Sequence, residues 1–319
     1  MKQDTLRVVI TGASSGIGAA TAIAFARQGA HLVLGARGRE GLEDIAGRCR
    51  QAGGQATVQV VDVTDADAVA SFAAGAREAL GGIDLWFSDV GIGVVGKYLD
   101  VPMADHRQVV ETNLVSHMNE ARAVLPVFVA QGRGIWVNMI SLGGYFATPY
   151  AAAYAASKFG LRGFSEALRG EMHDQPHIHI CDVYPTFVDT PAIYHAGNYT
   201  GARLTYPPGM LAPEKVARAV VGLARRPRAT TVVGMPETVL KLGQFAAPLG
   251  AVLMNRFMGK WSKHAEPARD TVGTMYAPPG GASGIDGGQR RPGQRNTALA
   301  VGVAVAGVAL AVRLLNRRS

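Results

Sequence analysis

Seven short apolar runs rich in β-branched residues alternate with segments of helical period, and this alternation constrains the chain more than any other feature. The runs cover 6–11, 31–36, 57–61, 83–88, 134–140, 177–184 and 230–234; the helical segments between them cover 17–28, 41–51, 65–80, 104–131, 151–173 and 213–225. Strands separated by helices are joined by right-handed crossovers and therefore run parallel, with helices covering both faces. The expected architecture is α/β, a doubly wound parallel sheet of about seven strands over 1–235. Ligands of such sheets bind at the carboxyl ends of the strands.

The pattern changes after residue 235. An apolar helical extension is expected over 236–276, interrupted by Pro248. A flexible linker is expected over 277–296, where six Gly and three Pro in twenty residues leave little to bury. Residues 297–312 are uncharged and mostly Ala and Val, and with Leu314 and Leu315 they make a helix over 297–315 of about 28 Å, close to the thickness of a bilayer's hydrocarbon. This segment is read as a transmembrane helix, with membrane lipid as a partner.

The net charge of +8 is a property of the tail, because 1–235 holds 21 Lys+Arg against 20 Asp+Glu whereas 236–319 holds 11 against 4. Those cations flank an apolar run and do not interleave with stacking aromatics, which argues against nucleic acid. The first residues include Lys2, Asp4 and Arg7 and lead straight into a strand, with no signal-peptide apolar region. The expected location is the cytoplasmic side of a membrane, anchored through the C-terminus. Cys49 and Cys181 have no CxxC spacing and are read as incidental thiols. His173, His177 and His179 lack acidic or thiol partners nearby, so no metal site is expected.

The first strand ends in Thr11-Gly12-Ala13-Ser14-Ser15-Gly16-Ile17-Gly18 and opens a helix. Free backbone N–H groups at a helix start, with the positive end of its dipole, suit an anionic pyrophosphate, and glycine lets the phosphate approach. Gly12, Ser14, Ser15, Gly16, Ile17 and Gly18 are therefore candidate cofactor contacts on a Rossmann-type turn. The second strand ends in Arg37, where an acidic residue would accept from an adenosine 2′-hydroxyl. A guanidinium there, with Arg39 and Ser14, suits a 2′-phosphate, which makes the expected cofactor NADP(H).

Tyr154 and Lys158 stand four apart on one helix face, and Ser141 follows the run 134–140 at a strand's carboxyl end. A phenol ordinarily titrates near pH 10, and an adjacent ammonium is expected to lower that value enough for proton transfer. The Ser141 hydroxyl is placed to hold a carbonyl oxygen. Tyr150 is excluded from this role because Tyr154, not lysine, stands four residues beyond it.

With Thr11-Gly12-x-x-x-Gly16-x-Gly18, Ser141 and Tyr154-x-x-x-Lys158 in place, the chain resembles the short-chain dehydrogenase/reductase family over roughly 5–235. The resemblance implies that Asn113 completes a proton relay through water to Lys158. It implies that Asp62 and Val63 touch adenine, and that Val188 and Thr190, following Pro185, face the nicotinamide carboxamide. It also suggests a homo-oligomer. Two departures stand out: Ser88-Asp89-Val90-Gly91 replaces the usual Asn-Asn-Ala-Gly, and Thr186 replaces the glycine after Pro185. Val90 and Thr186 are expected to reshape the cofactor site, which Gly91 also borders.

The expected activity is hydride transfer between NADP(H) and a carbonyl or secondary alcohol, with Tyr154 as general acid/base. The apolar residues of 190–211, among them Ile193, Tyr194, Tyr199, Leu204, Tyr206, Met210 and Leu211, suggest an apolar substrate. The alternative is a non-catalytic NADP(H)-binding sensor or scaffold at the membrane.

Overall fold

The computed structural model describes residues 5–205, 209–243, 247–281 and 284–290. Its core elements are β1 (Arg7–Thr11), α1 (Gly16–Ala26), β2 (His31–Ala36), α2 (Arg39–Gln51), β3 (Gln55–Val60), α3 (Ala66–Leu80), β4 (Leu85–Ser88), β5 (Val94–Val95), α4 (Met103–Val110), α5 (Ser116–Gln131), β6 (Gly134–Met139), α6 (Ala152–Glu171) and β7 (Ile178–Pro185). They are followed by α7 (Ala192–His195), β8 (Gly197–Asn198), α8 (Pro213–Leu223), β9 (Thr230–Val233), α9 (Glu237–Gly243) and α10 (Ala247–His264). Seven strands form one sheet in the order β3-β2-β1-β4-β6-β7-β9, every neighbouring pair parallel. The order reverses between β1 and β4, and a crevice opens at such a switch point.

The alternation of side chains along each strand sorts the core into two layers. Val8 and Ile10 of β1 join Phe25 of α1, Leu42 of α2 and Val220 of α8 on one face. Val9 turns the other way, to Trp86, Trp136, Phe72 of α3 and Phe128 of α5. Helix ends follow local chemistry: Asp65 caps α3 by accepting from the Asp67 and Ala68 amides, and Gly81 ends it at φ 68°. Cys49 and Cys181 are buried and unpaired.

The sequence reads 104–131 as one helix, whereas the structure divides it. A π-helical turn, Glu111–Val115, separates α4 from α5 and carries Asn113. Nothing in Glu-Thr-Asn-Leu-Val breaks a helix, so periodicity has no means of marking it. A second two-stranded sheet pairs β5 with β8. Each of its strands has two residues, too short for a pattern.

Beyond α10 the chain folds back on the domain. Thr271 bridges Asn198 and Pro267 bridges Ala202, both antiparallel, and Met275 is buried beside Val94, Val101, Val109 and Ala153. The linker expectation over 277–296 therefore changes for its described part. Residues 284–290 are bound to the domain through backbone hydrogen bonds, a means of ordering that a count of apolar surface does not register. The segment 297–315 lies outside the described residues. Among the described residues no helix is long and apolar enough to cross a membrane.

Candidate active site

The glycine-rich turn is built by close approach. Ser15, extended and making no side-chain cap bond, leaves the first amides of α1 without a capping side chain. A Cβ on Gly12, at φ +70°, would lie 2.7 Å from the Asp89 carbonyl oxygen, and one on Gly18 would lie 2.3 Å from that of Gly12. The turn also meets Thr190, whose Cβ and methyl are 3.3 Å from where a Cβ on Gly16 would stand. Arg37, ending β2, donates to the carbonyls of Thr274 (2.9 Å) and Met275 (3.2 Å). The Asp62 carboxylate accepts from the Thr64 amide and hydroxyl, and Val63 gives its carbonyl to Asn119.

Ser141 follows β6 at φ 146°, a strained position for a residue with a side chain. Its Oγ accepts from the Gly143 amide at 3.1 Å, and its hydroxyl stands near enough to the Tyr154 phenol to pull that group's pKa down. A Cβ on Gly143 would stand 3.0 Å from the Tyr154 ring, so the glycine lets the ring approach. One helical turn on, Lys158 donates to the Met139 carbonyl at 3.1 Å. Asn113 is fully buried: its Oδ1 accepts from the Ile92 amide at 2.8 Å, and its Nδ2 donates to the Ile92 carbonyl at 2.9 Å and to Ser157 Oγ at 3.3 Å. A Cβ on Gly91 would be 3.6 Å from Asn113 Oδ1 and 3.8 Å from Lys158 Nζ. Ser141, Tyr154, Lys158, Asn113 and Gly91 thus lie together at the carboxyl ends of the central strands.

The electrostatics differ from expectation. Burial pushes the Tyr154 phenol above its ordinary range, with Ser141 pulling weakly the other way. The Lys158 ammonium lies 5.8 Å from the centre of the Tyr154 ring and spends a hydrogen bond on Met139, so it does not reverse the effect of burial. Lys158 itself is lowered to about 8, mainly by burial, with the Asp89 carboxyl opposing.

Asp89 is the residue that sequence reasoning passed over. Its carboxyl stands beside the turn, Oδ2 3.0 Å from where a Cβ on Gly18 would lie, and burial raises its pKa well above the carboxylate range against the pull of Lys158. Its signal in the sequence is an acid where the family has Asn. The Val90 carbonyl receives His117 Nε2 at 2.8 Å. Thr186 faces Gly234, its Oγ1 filling the space where a Cβ on Gly234 would stand. Pro185 ends β7, and Val188 pairs with Leu211.

Residues 7–197, more than half of the chain, match the family model described as short chain dehydrogenase. The chain belongs to the short-chain dehydrogenase family. Among its relatives is the uncharacterized oxidoreductase YxnA of Bacillus subtilis (strain 168), 31% identical over 81% of this chain and 74% of that one. The probable oxidoreductase EphD of Mycobacterium tuberculosis (strain ATCC 25618 / H37Rv) is 33% identical over 70% of this chain, which spans 40% of that longer protein. Among solved structures, the alcohol dehydrogenase of Thermococcus sibiricus complexed with 5-hydroxy-NADP superposes at a TM-score of 0.64, with 27% identity over 72% of this chain and 96% of that one. As a short-chain dehydrogenase, the chain is an oxidoreductase built on a Rossmann-type sheet.

Proposed function

We propose that the chain is an NADP(H)-dependent carbonyl reductase or alcohol dehydrogenase with Tyr154 as general acid/base. The observation that carries this reading is the meeting of Ser141, Tyr154, Lys158 and Asn113 beside the glycine turn. The residues present fit a dinucleotide: the turn tolerates no side chain at Gly12 or Gly18, and Arg37 stands where a 2′-phosphate is distinguished from a hydroxyl. An NADP derivative bound to the Thermococcus sibiricus structure supports the same choice. When bound, the nicotinamide supplies or accepts the hydride.

The protein's own part is proton transfer and orientation. Ser141, beside the phenol, holds the substrate oxygen between its hydroxyl and that of Tyr154. A phenol raised by burial keeps its proton until the substrate oxygen develops negative charge, which suits an acid in the reductive direction. Lys158, cationic below about pH 8, stabilises the phenolate that results. Asn113, bound at both ends of its amide to Ile92, fixes the π-helical turn against Gly91 and Lys158. Val94, Val101, Val109, Ala153 and Met275 pack with the Tyr154 ring, which supports an apolar substrate.

The test is NADPH oxidation across short, long-chain, aromatic and polycyclic carbonyls, with NADH as control. Tyr154→Phe is expected to lower kcat about 100-fold or more with NADPH affinity retained. If no carbonyl is turned over faster by the parent than by Tyr154→Phe, the non-catalytic sensor reading replaces this one. We further propose that 297–315 anchors the protein to a membrane. Equal partitioning of the parent and of a variant with that segment made polar would refute this.

A further inference from the structure

The segment after α10 crosses the carboxyl end of the sheet along the path that a dinucleotide needs. It begins at Arg37, both of whose terminal nitrogens are taken by the Thr274 and Met275 carbonyls. Pro278 lies 3.5 Å from where a Cβ on Gly38 would stand, and the Gly284 carbonyl accepts the Gly16 amide at 3.1 Å. The Gly287 amide donates to the Asp189 carbonyl at 3.2 Å. The Asp189 carboxylate, 1% exposed, then accepts the Gln289 amide (3.1 Å) and the Arg290 amide (2.9 Å) and pairs with the Arg290 guanidinium at 3.4 Å.

Two features show that this seat is specific. A buried carboxylate is costly unless it is paired and hydrogen-bonded, and the proposed chemistry makes no use of Asp189; the returning segment supplies what it needs. A Cβ on Gly287 would lie 2.6 Å from both Asp189 Oδ1 and the Thr190 carbonyl oxygen, so the segment fits there through glycine. The groups it engages at the other end, the Gly16 amide and the Arg37 guanidinium, are the anion-binding groups of the site. Backbone carbonyls therefore stand where phosphate oxygens are expected, and one amide cannot serve both in full.

We infer that residues 274–281 and 284–290 form a strap that competes with the dinucleotide for its own cleft, anchored by Asp189 and displaced when the nucleotide binds. This rests on the dinucleotide reading above. A cleft open about one-tenth of the time binds about tenfold more weakly than an open one.

The experiment uses the full-length protein, with NADPH as the probe. Hydrogen–deuterium exchange follows the Gln289 and Arg290 amides, and fluorescence titration follows binding, in the parent and in Gly287→Val. The strap predicts that NADPH speeds exchange at 289 and 290 in the parent, and that Gly287→Val binds NADPH about tenfold tighter, with those amides already exchanging. Binding that leaves the two amides as protected as before, or more so, overturns the inference and leaves the dinucleotide reading standing. So does a Gly287→Val protein whose amides exchange freely without any gain in affinity. NADPH binding by neither protein overturns the dinucleotide reading, and the strap with it.

Discussion

At the scale of single residues, the site is governed by what burial does to charge. Lys158 is pulled down to about 8 because its ammonium is desolvated, and the Asp89 carboxyl limits the fall. In the proposed reduction the ammonium stabilises the phenolate, and it is present below that pKa and lost as pH rises through it. The expected profile of kcat/KM for reduction is therefore flat below and falling above about pH 8. In Asp89→Asn the opposing carboxyl is gone, so the alkaline limb moves to lower pH; an unmoved limb shows that Asp89 does not couple to Lys158. The carboxyl also packs against the turn, its Oδ2 3.0 Å from where a Cβ on Gly18 would lie. Asn keeps the size of that group, which makes it the substitution that separates charge from shape.

At the scale of elements, the π-helical turn between α4 and α5 does what neither helix could. An added residue per turn is unfavourable by itself, and such turns persist where something inserts into the ladder or a functional group is aimed. Here the Asn113 amide replaces a backbone partner for Ile92, accepting from its N–H and donating to its carbonyl. Asn113→Ala leaves both groups without those bonds, which costs about 1–3 kcal/mol and lowers Tm by several degrees. Activity is expected to fall further than stability alone explains, because the turn borders Gly91 and Lys158. Thermal melts and kcat measured on the same preparation decide this, and an unchanged Tm excludes the structural part. The helix over 104–131 was legible as a span, while its widened turn was not. The bond that creates the turn reaches from residue 113 to residue 92, and no local period records it.

At the scale of the whole molecule, the sheet buries acids beneath its centre. Glu120 is fully buried, accepts from Trp86 Nε1 at 2.6 Å and Thr11 Oγ1 at 2.8 Å, and has its pKa raised to about 7 by burial. In the unfolded chain the same group releases its proton near its ordinary value of 4.5. Between those values the folded protein holds more protons, so stability is greatest below pH 4.5 as far as this group is concerned and is lost as pH rises to about 7. The full effect is on the order of 3 kcal/mol. Asp182, raised to about 6 with Arg169 opposing, acts in the same sense. Denaturant melts at pH 5 and pH 8 are expected to differ in that direction, and Glu120→Gln to reduce the difference; an equal difference in the variant refutes the assignment to Glu120.

The parallel sheet, and the placing of the glycine turn, Ser141, Tyr154 and Lys158 at its carboxyl edge, could be read from the order of residues alone, because each depends on short spacings: period two, period 3.6, and a helical turn of four. Other features depend on segments that meet only after folding. Asp89 reaches Gly18, Asn113 reaches Ile92, and Asp189 collects the Gln289 and Arg290 amides across about a hundred residues. Even the pKa direction at Tyr154 reversed for this reason. Spacing places an ammonium near a phenol, but only packing decides how much water is removed from both.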